Sequence, residues 1–377
     1  MNYTLPGGGI LQKFHPATYL VAGVFIWMSS HKFPTYRENE RNYNFAFIII
    51  LLVFYAISIG NFGYTSIMID IFLAPAVFSI ILQRLNQQNQ AYLLKVFIFI
   101  TCINTIVVAI ELAGQRSFLD YEQEFSYFRP AGIFGHPIAT GAICCIAMIS
   151  CRHVVTNTIT KRTILAILLF QVSMCGVRGA LAVATIVFLS DIIAPQKRTM
   201  RVVAYDMLVL LAVLFTVLIF ESLGVFDRIL ARGVWDDSAA SRFDIFNIFS
   251  IMSDNEFWLG TSPERILMYA QSLNQSRIEN SFVVGVYQCG FISSIVLFAA
   301  IFLYFLKPSL KSSNFLILLV FIVFGTLYFG VKSPVNYPLL LLGQIISTAG
   351  NYRSSKHAAS NYQFSYAQGG LIRNGDH

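Results

Sequence analysis

Residues 91–113 read AYLLKVFIFITCINTIVVAIELA, an apolar run in which Lys95 and Glu111 are the only charged residues. A helix of about 20 apolar residues crosses the hydrocarbon core of a bilayer. Backbone polar groups in that core must be satisfied within the segment itself, so we expect a helix and not an open sheet. This run therefore predicts a transmembrane helix.

The composition extends this prediction to the whole chain. Of its 377 residues, 56% are hydrophobic and 12% are charged, whereas a soluble domain carries about 25% charged residues. We predict an all-α polytopic membrane protein with about eleven (10–12) transmembrane helices in a single domain over 1–350. The first run is short enough for an interfacial or re-entrant helix. The predicted spans lie near residues 17–29, 45–60, 65–82, 91–113, 133–151, 163–176, 179–194, 202–220, 282–306, 314–331 and 335–349.

The basic residues of the loops predict the orientation, because cytoplasmic loops are enriched in Lys and Arg. The six segments that we place in the cytoplasm alternate with the spans and hold 15 of the 26 basic residues: 31–44, 83–90, 152–162, 195–201, 307–313 and 350–377. The net charge of +7 follows from this topology and gives no reason to expect a nucleic-acid partner. The polar tail 351–377 is expected to be a disordered cytoplasmic end.

Four regions are left on the outer side: residues 114–132, the break at Arg178, the long loop 221–281 and the turn near Lys332. The long loop carries nine acidic and five basic residues. Such a charged segment between apolar spans indicates a site at the extracytoplasmic membrane surface. None of the six cysteines lies in this loop, so we expect no disulfide framework there.

The first motif is FRPAGIFGHPIATG, residues 128–141. Arg129 and His136 flank the start of a span, and Pro137 is typical of a first helical position. Gly132 and Gly135 permit a tight turn. The two polar side chains either belong to a site or serve as an interfacial anchor and a helix cap.

The second motif is QVSMCGVRGALAVATI, residues 171–186, where Arg178 separates two apolar runs. The glycines around it permit one broken helix or two short ones. A guanidinium at that depth is costly unless it faces a polar cavity or meets an anion, and its planar fork suits phosphate. The alternative is an ion pair with Asp191, Asp206 or Glu111.

Two further motifs belong to the long loop. In VWDDSAASRFDIFNIFSIM, residues 234–252, Asp237 or Ser238 is a candidate cap for a helix with Phe on one side and Arg242 on another. Arg242 either serves the site or forms a surface salt bridge. In SRIENSFVVGVYQCG, residues 276–290, Glu279 and Asn280 precede a span. Glu279 either caps that helix or accepts a proton from an incoming hydroxyl.

In this order the motifs resemble the bacterial O-antigen ligase and Wzy-type polymerase family of membrane glycosyltransferases. The resemblance covers the chain from about Phe128 to Phe305. The motifs that carry it are RPAGIFGHP, GVRGAL, SRFDIF, WLGTSPERI and ENSFVVGVYQCGFISS. It implies a fold like that of the C-type glycosyltransferases (GT-C), located in the bacterial inner membrane. The implied substrate is a polyprenyl-diphosphate-linked glycan, used without a metal, cofactor or nucleotide sugar.

The resemblance also assigns roles to residues. It implies that Arg178 and Arg242 hold the diphosphate and that Glu279 stands where ligases have the histidine of a His-Asn pair, a proposed base. Positioned arginines stabilise charge on the leaving oxygen, and a carboxylate on the opposite side accepts the proton, so inversion is expected. The implied catalytic residues are Glu279, Arg242 and Arg178, and the implied substrate-binding residues are Arg178, Arg242, Arg129, His136 and Asn280.

Three functions remain open at this point. The first is an exopolysaccharide or O-antigen polymerase that adds a glycan to another lipid-linked repeat unit, with a chain-length regulator as a candidate partner. The second is a ligase that transfers the glycan to the lipid A-core of lipopolysaccharide. The third is an ion-coupled transporter that uses Asp70, Lys95 and Asp206, although we find no matching halves of the kind such transporters show.

Overall fold

A computed structural model describes most of the predicted membrane region. The described residues are 14–31, 40–60, 62–119, 128–193, 207, 245–272, 281–324 and 335–347. Of these residues 86% are helical, and no strand occurs among them. Within the same ranges, six helices are long and apolar enough to cross a membrane. The all-α prediction is therefore confirmed for the described residues, and the six apolar helices agree with a membrane protein.

The helix bounds follow the predicted spans closely. A π-helical turn, Met68–Leu73, joins the helix Phe62–Ile67 to the helix Ala74–Gln83, so these two helices form one span. The predicted span 202–220 and the tail 351–377 lie outside the described residues, Met207 excepted. In chain order the helices are α1 (Pro16–Ser30), α2 (Glu40–Ser58), α3 (Phe62–Ile67), α4 (Ala74–Gln83), α5 (Gln87–Gly114), α6 (Pro137–Val154), α7 (Thr158–Cys175), α8 (Arg178–Ile193), α9 (Asp254–Leu259), α10 (Pro263–Ser272), α11 (Ser281–Cys289), α12 (Phe291–Lys311), α13 (Ser313–Phe324) and α14 (336–347).

One predicted span is divided in two. Residues 282–306 were expected to form a single helix, but the chain breaks at Gly290, which has a φ of +82° and separates α11 from α12. A side chain at Gly290 would overlap the backbone carbonyl of Trp258 at the end of α9. The single-helix prediction was wrong because this close approach comes from a segment about 30 residues earlier in the chain.

The helices α5 to α8 pack together, with α6 at the centre of the group. Every residue of α6 from Pro137 to Cys151 is buried. A side chain on Gly141 would overlap the Cβ of Ala180, so glycine lets α6 and α8 approach closely, as small residues do between membrane helices. Gly176 ends α7 in a left-handed conformation, and α8 then returns antiparallel to α7. The break at this position is therefore a turn between two separate helices.

Asp70 lies buried in the π-helical turn, and it holds the start of α1. Its Oδ2 accepts a hydrogen bond from the backbone N–H of His15 at 2.9 Å, and its Oδ1 accepts one from the hydroxyl of Thr18 at 2.7 Å. A carboxylate at the N-terminal end of a helix is stabilising there. This contact gives Asp70 a structural role at the start of α1. Lys95, another candidate of the transporter alternative, is exposed on α5.

Candidate functional site

The turn that carries Arg129 and His136 is held against the end of α5. Oε2 of Glu111 accepts hydrogen bonds from the backbone N–H groups of Ala131 at 2.8 Å and Gly132 at 2.7 Å. Oδ1 of Asn104, two helical turns earlier, accepts one from the N–H of Ile133 at 2.7 Å. The turn therefore folds inward along α5. Sequence reasoning did not find this role for Glu111 or Asn104, because their partners are backbone groups.

Glu111 also fixes the first residues after α5. Its Oε1 accepts hydrogen bonds from the N–H of Phe118 at 2.9 Å and the hydroxyl of Ser117 at 3.2 Å. Both oxygens of this buried carboxylate are thus occupied by the two ends of the connection between α5 and α6. A charged acceptor for several N–H groups forms stronger hydrogen bonds than a neutral one.

Arg129 is buried and reaches the turn between α7 and α8. Its Nε donates a hydrogen bond to the carbonyl oxygen of Cys175 at 3.3 Å. Cys175 is the last residue of α7 and lies three positions before Arg178. The structure therefore brings Arg129 to the end of α7, next to the turn that leads to Arg178.

His136 is the N-cap residue of α6. Its Nδ1 accepts a hydrogen bond from the N–H of Ile138 at 3.3 Å, and Pro137 follows it as the first helical residue. The hydroxyl of Thr140 donates to the carbonyl of Ala131 at 2.5 Å, which ties the cap back to the turn. The capping interpretation of His136 is therefore observed. Its ring stays half-buried at the same end of the helix group as Arg129.

Arg178 is the first residue of α8 and lies three positions after Cys175, whose carbonyl oxygen accepts the hydrogen bond from Arg129. The N–H of Leu181 donates to the carbonyl of Val177 at 2.8 Å, which closes the first turn of α8. The N–H groups of a first turn have no partner within the helix and, with the helix dipole, they favour an anion. The start of α8 therefore combines a guanidinium group with oriented backbone donors.

One of the alternative partners of Arg178 is ruled out by position. Asp191 lies 13 residues further along α8, about 20 Å away at 1.5 Å per residue. It pairs with Lys161 through Nζ at 2.8 Å, and Arg152 and Arg162 are its other cationic neighbours. The predicted Arg178–Asp191 pair was wrong because the two residues lie at opposite ends of one helix. Asp206 lies outside the described residues.

The helix that follows Glu279 and Asn280 is α11. α11 contacts α13, and the Phe321 ring of α13 lies where a side chain on Gly179 would have to sit. Glu279, Asn280 and Arg242 themselves lie outside the described residues. Their roles therefore stay predictions.

Part of the long loop is described, and it packs on the start of α12. Residues Ile245–Ser250 form a 3-10 helix, whose Phe249 ring lies 6.1 Å from Tyr287 of α11 and 5.6 Å from Phe257 of α9. The helix start predicted at Asp237 or Ser238 lies outside the described residues. The three-residue spacing of the phenylalanines coincides here with a 3-10 helix, which has three residues per turn.

Glu256 holds the helices α9 and α10 together. Its carboxylate accepts hydrogen bonds from the hydroxyls of Tyr269 at 2.7 Å, Ser253 at 2.8 Å and Thr261 at 3.1 Å, and pairs with Arg265 at 2.6 Å. Burial acts to raise the pKa of Glu256, but the hydrogen bonds from Tyr269, Ser253 and Thr261 outweigh it and lower the pKa to about 2. The carboxylate is therefore charged at neutral pH. The sequence alone gave no signal for this role.

The described part of the site is suited to an anion. Arg129 contacts the end of α7, next to the turn from which Arg178 starts α8, and His136 caps the neighbouring helix α6. Among the described residues, no group of three His, Cys, Asp or Glu side chains is placed to hold a metal ion. No protein-family model, curated protein or solved structure matches the chain.

Proposed function

We propose that this chain is a polysaccharide polymerase of the inner membrane. It transfers a glycan from a polyprenyl-diphosphate donor, such as undecaprenyl diphosphate, to the hydroxyl of another lipid-linked repeat unit. The observation that carries the proposal is that Arg129 meets the carbonyl of Cys175, next to the turn from which Arg178 starts α8. The resemblance of the motifs to the O-antigen ligase and polymerase family supplies the reaction.

Two arginines at a helix start suit a diphosphate group. Guanidinium groups bind phosphate oxygens through two parallel N–H donors. The N-terminal end of a helix adds backbone donors and a favourable dipole. Arg242, carried by the loop between the predicted spans, is assigned as the third cation at this position.

The reaction is a direct displacement at the anomeric carbon. The acceptor oxygen forms a bond to that carbon, and the bond to the diphosphate oxygen breaks, with its electron pair leaving on the lipid diphosphate. Arg178 and Arg242 stabilise the charge that develops on the leaving oxygen. Glu279 takes the proton of the acceptor hydroxyl from the opposite face, with Asn280 beside it, so the anomeric configuration inverts.

The proposed architecture is a GT-C-like bundle of about eleven spans. The start of α8 and the long loop lie on the extracytoplasmic side, and the C-terminal tail lies in the cytoplasm. Supporting this orientation, the basic residues Arg152, Lys161 and Arg162 cluster at the opposite end of α6–α8 from Arg178. Cytoplasmic enrichment in Lys and Arg is the general rule for membrane proteins.

The test is an assay of the purified protein in lipid nanodiscs with lipid-diphosphate-linked repeat units. A ladder of products resolved by size supports the polymerase. Arg178→Ala and Arg129→Ala should each reduce the ladder at least 100-fold, because removing one donor to a developing charge costs about that factor. Arg116→Ala is the matched control, since Arg116 is an exposed arginine just after α5.

Three outcomes contradict the proposal. A single transfer to lipid A-core with no ladder assigns a ligase. Solute uptake without glycan transfer assigns a transporter. Both arginine variants could also keep full activity at protein levels equal to those of the unchanged chain. That result would show that the site does not lie at this end of α8.

A further inference from the structure

The short helix α9 ends in two exposed apolar side chains. Trp258 is 48% exposed and Leu259 is 53% exposed, whereas Phe257 beside them is half-buried. The other end of the same helix is polar, and Asp254 and Asn255 are both exposed there. The exposed surface of α9 therefore changes from polar to apolar over about one helical turn. We call Trp258 and Leu259 the apolar tip of α9.

The apolar tip is held against the break between α11 and α12. The carbonyl of Trp258 lies so close to Gly290 that no side chain fits at that glycine, and Gly260 packs equally closely on the backbone of Gln288. The Trp258 ring lies 5.7 Å from the ring of Phe291, the first residue of α12, in an edge-to-face arrangement. These contacts fix the place and the direction of the tip.

The tip lies at the ends of two helices that are long and apolar enough to cross a membrane, α2 and α12. The hydroxyl of Tyr55, three residues before the end of α2, lies 3.5 Å from the carbonyl oxygen of Leu259. Both helices expose apolar side chains of the kind that face acyl chains: Phe47, Leu51 and Phe54 on α2, and Ile292, Ile295 and Val296 on α12. The tip therefore continues these lipid-facing surfaces at the level where the spans end.

We propose that the apolar tip of α9 inserts into the bilayer at the boundary between headgroups and acyl chains, and so anchors residues 245–272 of the long loop to the membrane surface. Tryptophan suits this boundary, because its ring is apolar and its N–H is polar. The polar end of α9, with Asp254, stays in the headgroup region and the water above it. Interfacial helices bury their apolar residues to a depth of about 5–10 Å in this way. The anchor does not depend on the assignment of the glycan site.

The small area of the apolar tip favours lipid over a second copy of the chain. A stable protein interface buries about 800 Å² on each partner, whereas two side chains that are each about half exposed offer only a fraction of that area. A membrane anchor needs no such area, because the tip only extends the apolar surface that α2 and α12 present to acyl chains. The partner is therefore the lipid itself, recognised through its acyl chains.

The experiment attaches a nitroxide spin label to single introduced cysteines of the purified full chain in phosphatidylcholine nanodiscs. It measures how often the label collides with oxygen, which partitions into acyl chains, and with a water-soluble nickel chelate. The oxygen-to-nickel ratio should be at least about threefold higher for Leu259→Cys than for Asp254→Cys, because only the tip is immersed. Phe54→Cys is the lipid-facing reference, and its ratio should be at least as high as that of Leu259→Cys. The native cysteines should take up little label, since five are buried and Cys102 is half-buried.

Trp258 allows a second measurement that needs no label. In a chain with Trp27→Phe and Trp235→Phe, its fluorescence should fall about twofold when the nanodisc lipid is brominated on its acyl chains, and aqueous iodide should change it little. Higher accessibility of the Leu259→Cys label to nickel than to oxygen, or quenching of Trp258 by iodide alone, would place the tip in water and overturn the proposal. Low accessibility to both reagents would place the tip against protein, such as a second copy of the chain, and would overturn it as well.

Discussion

At the scale of the residue, Gly132 decides the shape of the turn that carries Arg129. Its φ is +61°, a left-handed conformation that other residues adopt at a cost. A side chain there would also overlap the amide of Asn104. Glycine is therefore required on two independent grounds, and only the first could be anticipated from the motif.

We expect Gly132→Ala to destabilise the protein by about 3 kcal/mol, from backbone strain together with steric overlap. The measurement is the melting temperature of the purified chain in detergent. Gly23→Ala is the control, because Gly23 lies within α1 with no atom near the position of an added methyl group. That change should stabilise by about 0.5–1 kcal/mol through helix propensity. Equal effects of the two changes would contradict the assignment.

Glu111 is the residue on which the position of Arg129 depends. In Glu111→Gln an amide N–H₂ group replaces one acceptor oxygen and confronts backbone N–H donors. The free energy of unfolding should fall by about 2 kcal/mol. Glycan transfer should fall at least tenfold, because the turn that carries Arg129 moves. Stability and transfer are measured on the same preparations. Glu40→Gln, at the exposed first residue of α2, should change neither stability nor glycan transfer. A Glu111→Gln protein that keeps its stability and activity would contradict this role of Glu111.

At the scale of the element, the helix bounds were largely readable from hydropathy, whereas the break at Gly290 was not. Apolar runs predicted α5 to α8 within about five residues at each end, because a membrane helix must satisfy its backbone internally. The break between α11 and α12 depends on the chain at Trp258. Contacts of that kind leave no periodic pattern in the sequence.

The α9–α10 pair should respond to acid. Since the pKa of Glu256 is lowered from about 4.5 to about 2, its contribution to stability is complete above pH 4.5 and is lost as the pH falls towards 2. The protection factors of residues 254–269, which correct for the intrinsic pH dependence of hydrogen exchange, should therefore fall over that interval. Glu256→Gln should show lower protection factors at pH 7, with no further decrease in acid.

The control for this prediction is Asp254→Asn, since Asp254 is exposed in the first turn of the same helix. It should keep both the slow exchange at pH 7 and the acid response. A pH response that persists in Glu256→Gln would assign it to another group.

At the scale of the whole molecule, the two ends of the α6–α8 group differ in character. One end carries Arg129, His136 and Arg178 beside a helix start, and the other carries the cluster around Asp191. Both ends are formed by residues that are distant in sequence but meet because consecutive helices run antiparallel. The proposed glycan site lies at the first of these two ends.

This orientation is tested by labelling introduced cysteines with a membrane-impermeant maleimide. Ser262→Cys should react in intact cells, and Thr156→Cys only after lysis, because both positions are exposed on the two proposed faces. The native cysteines provide low background, since five are buried and Cys102 is half-buried. The reverse pattern would invert the topology and remove the extracytoplasmic site.

The sequence by itself determined the membrane class and most helix positions, since hydropathy and backbone satisfaction are properties of each segment alone. It also singled out Arg129, His136 and Arg178. Only the tertiary structure decided that Arg129 reaches the end of α7, that Asp191 belongs to the far end of α8, and that Asp70 holds the start of α1. A polar side chain in a membrane must find a partner, and which partner it finds depends on how the helices pack.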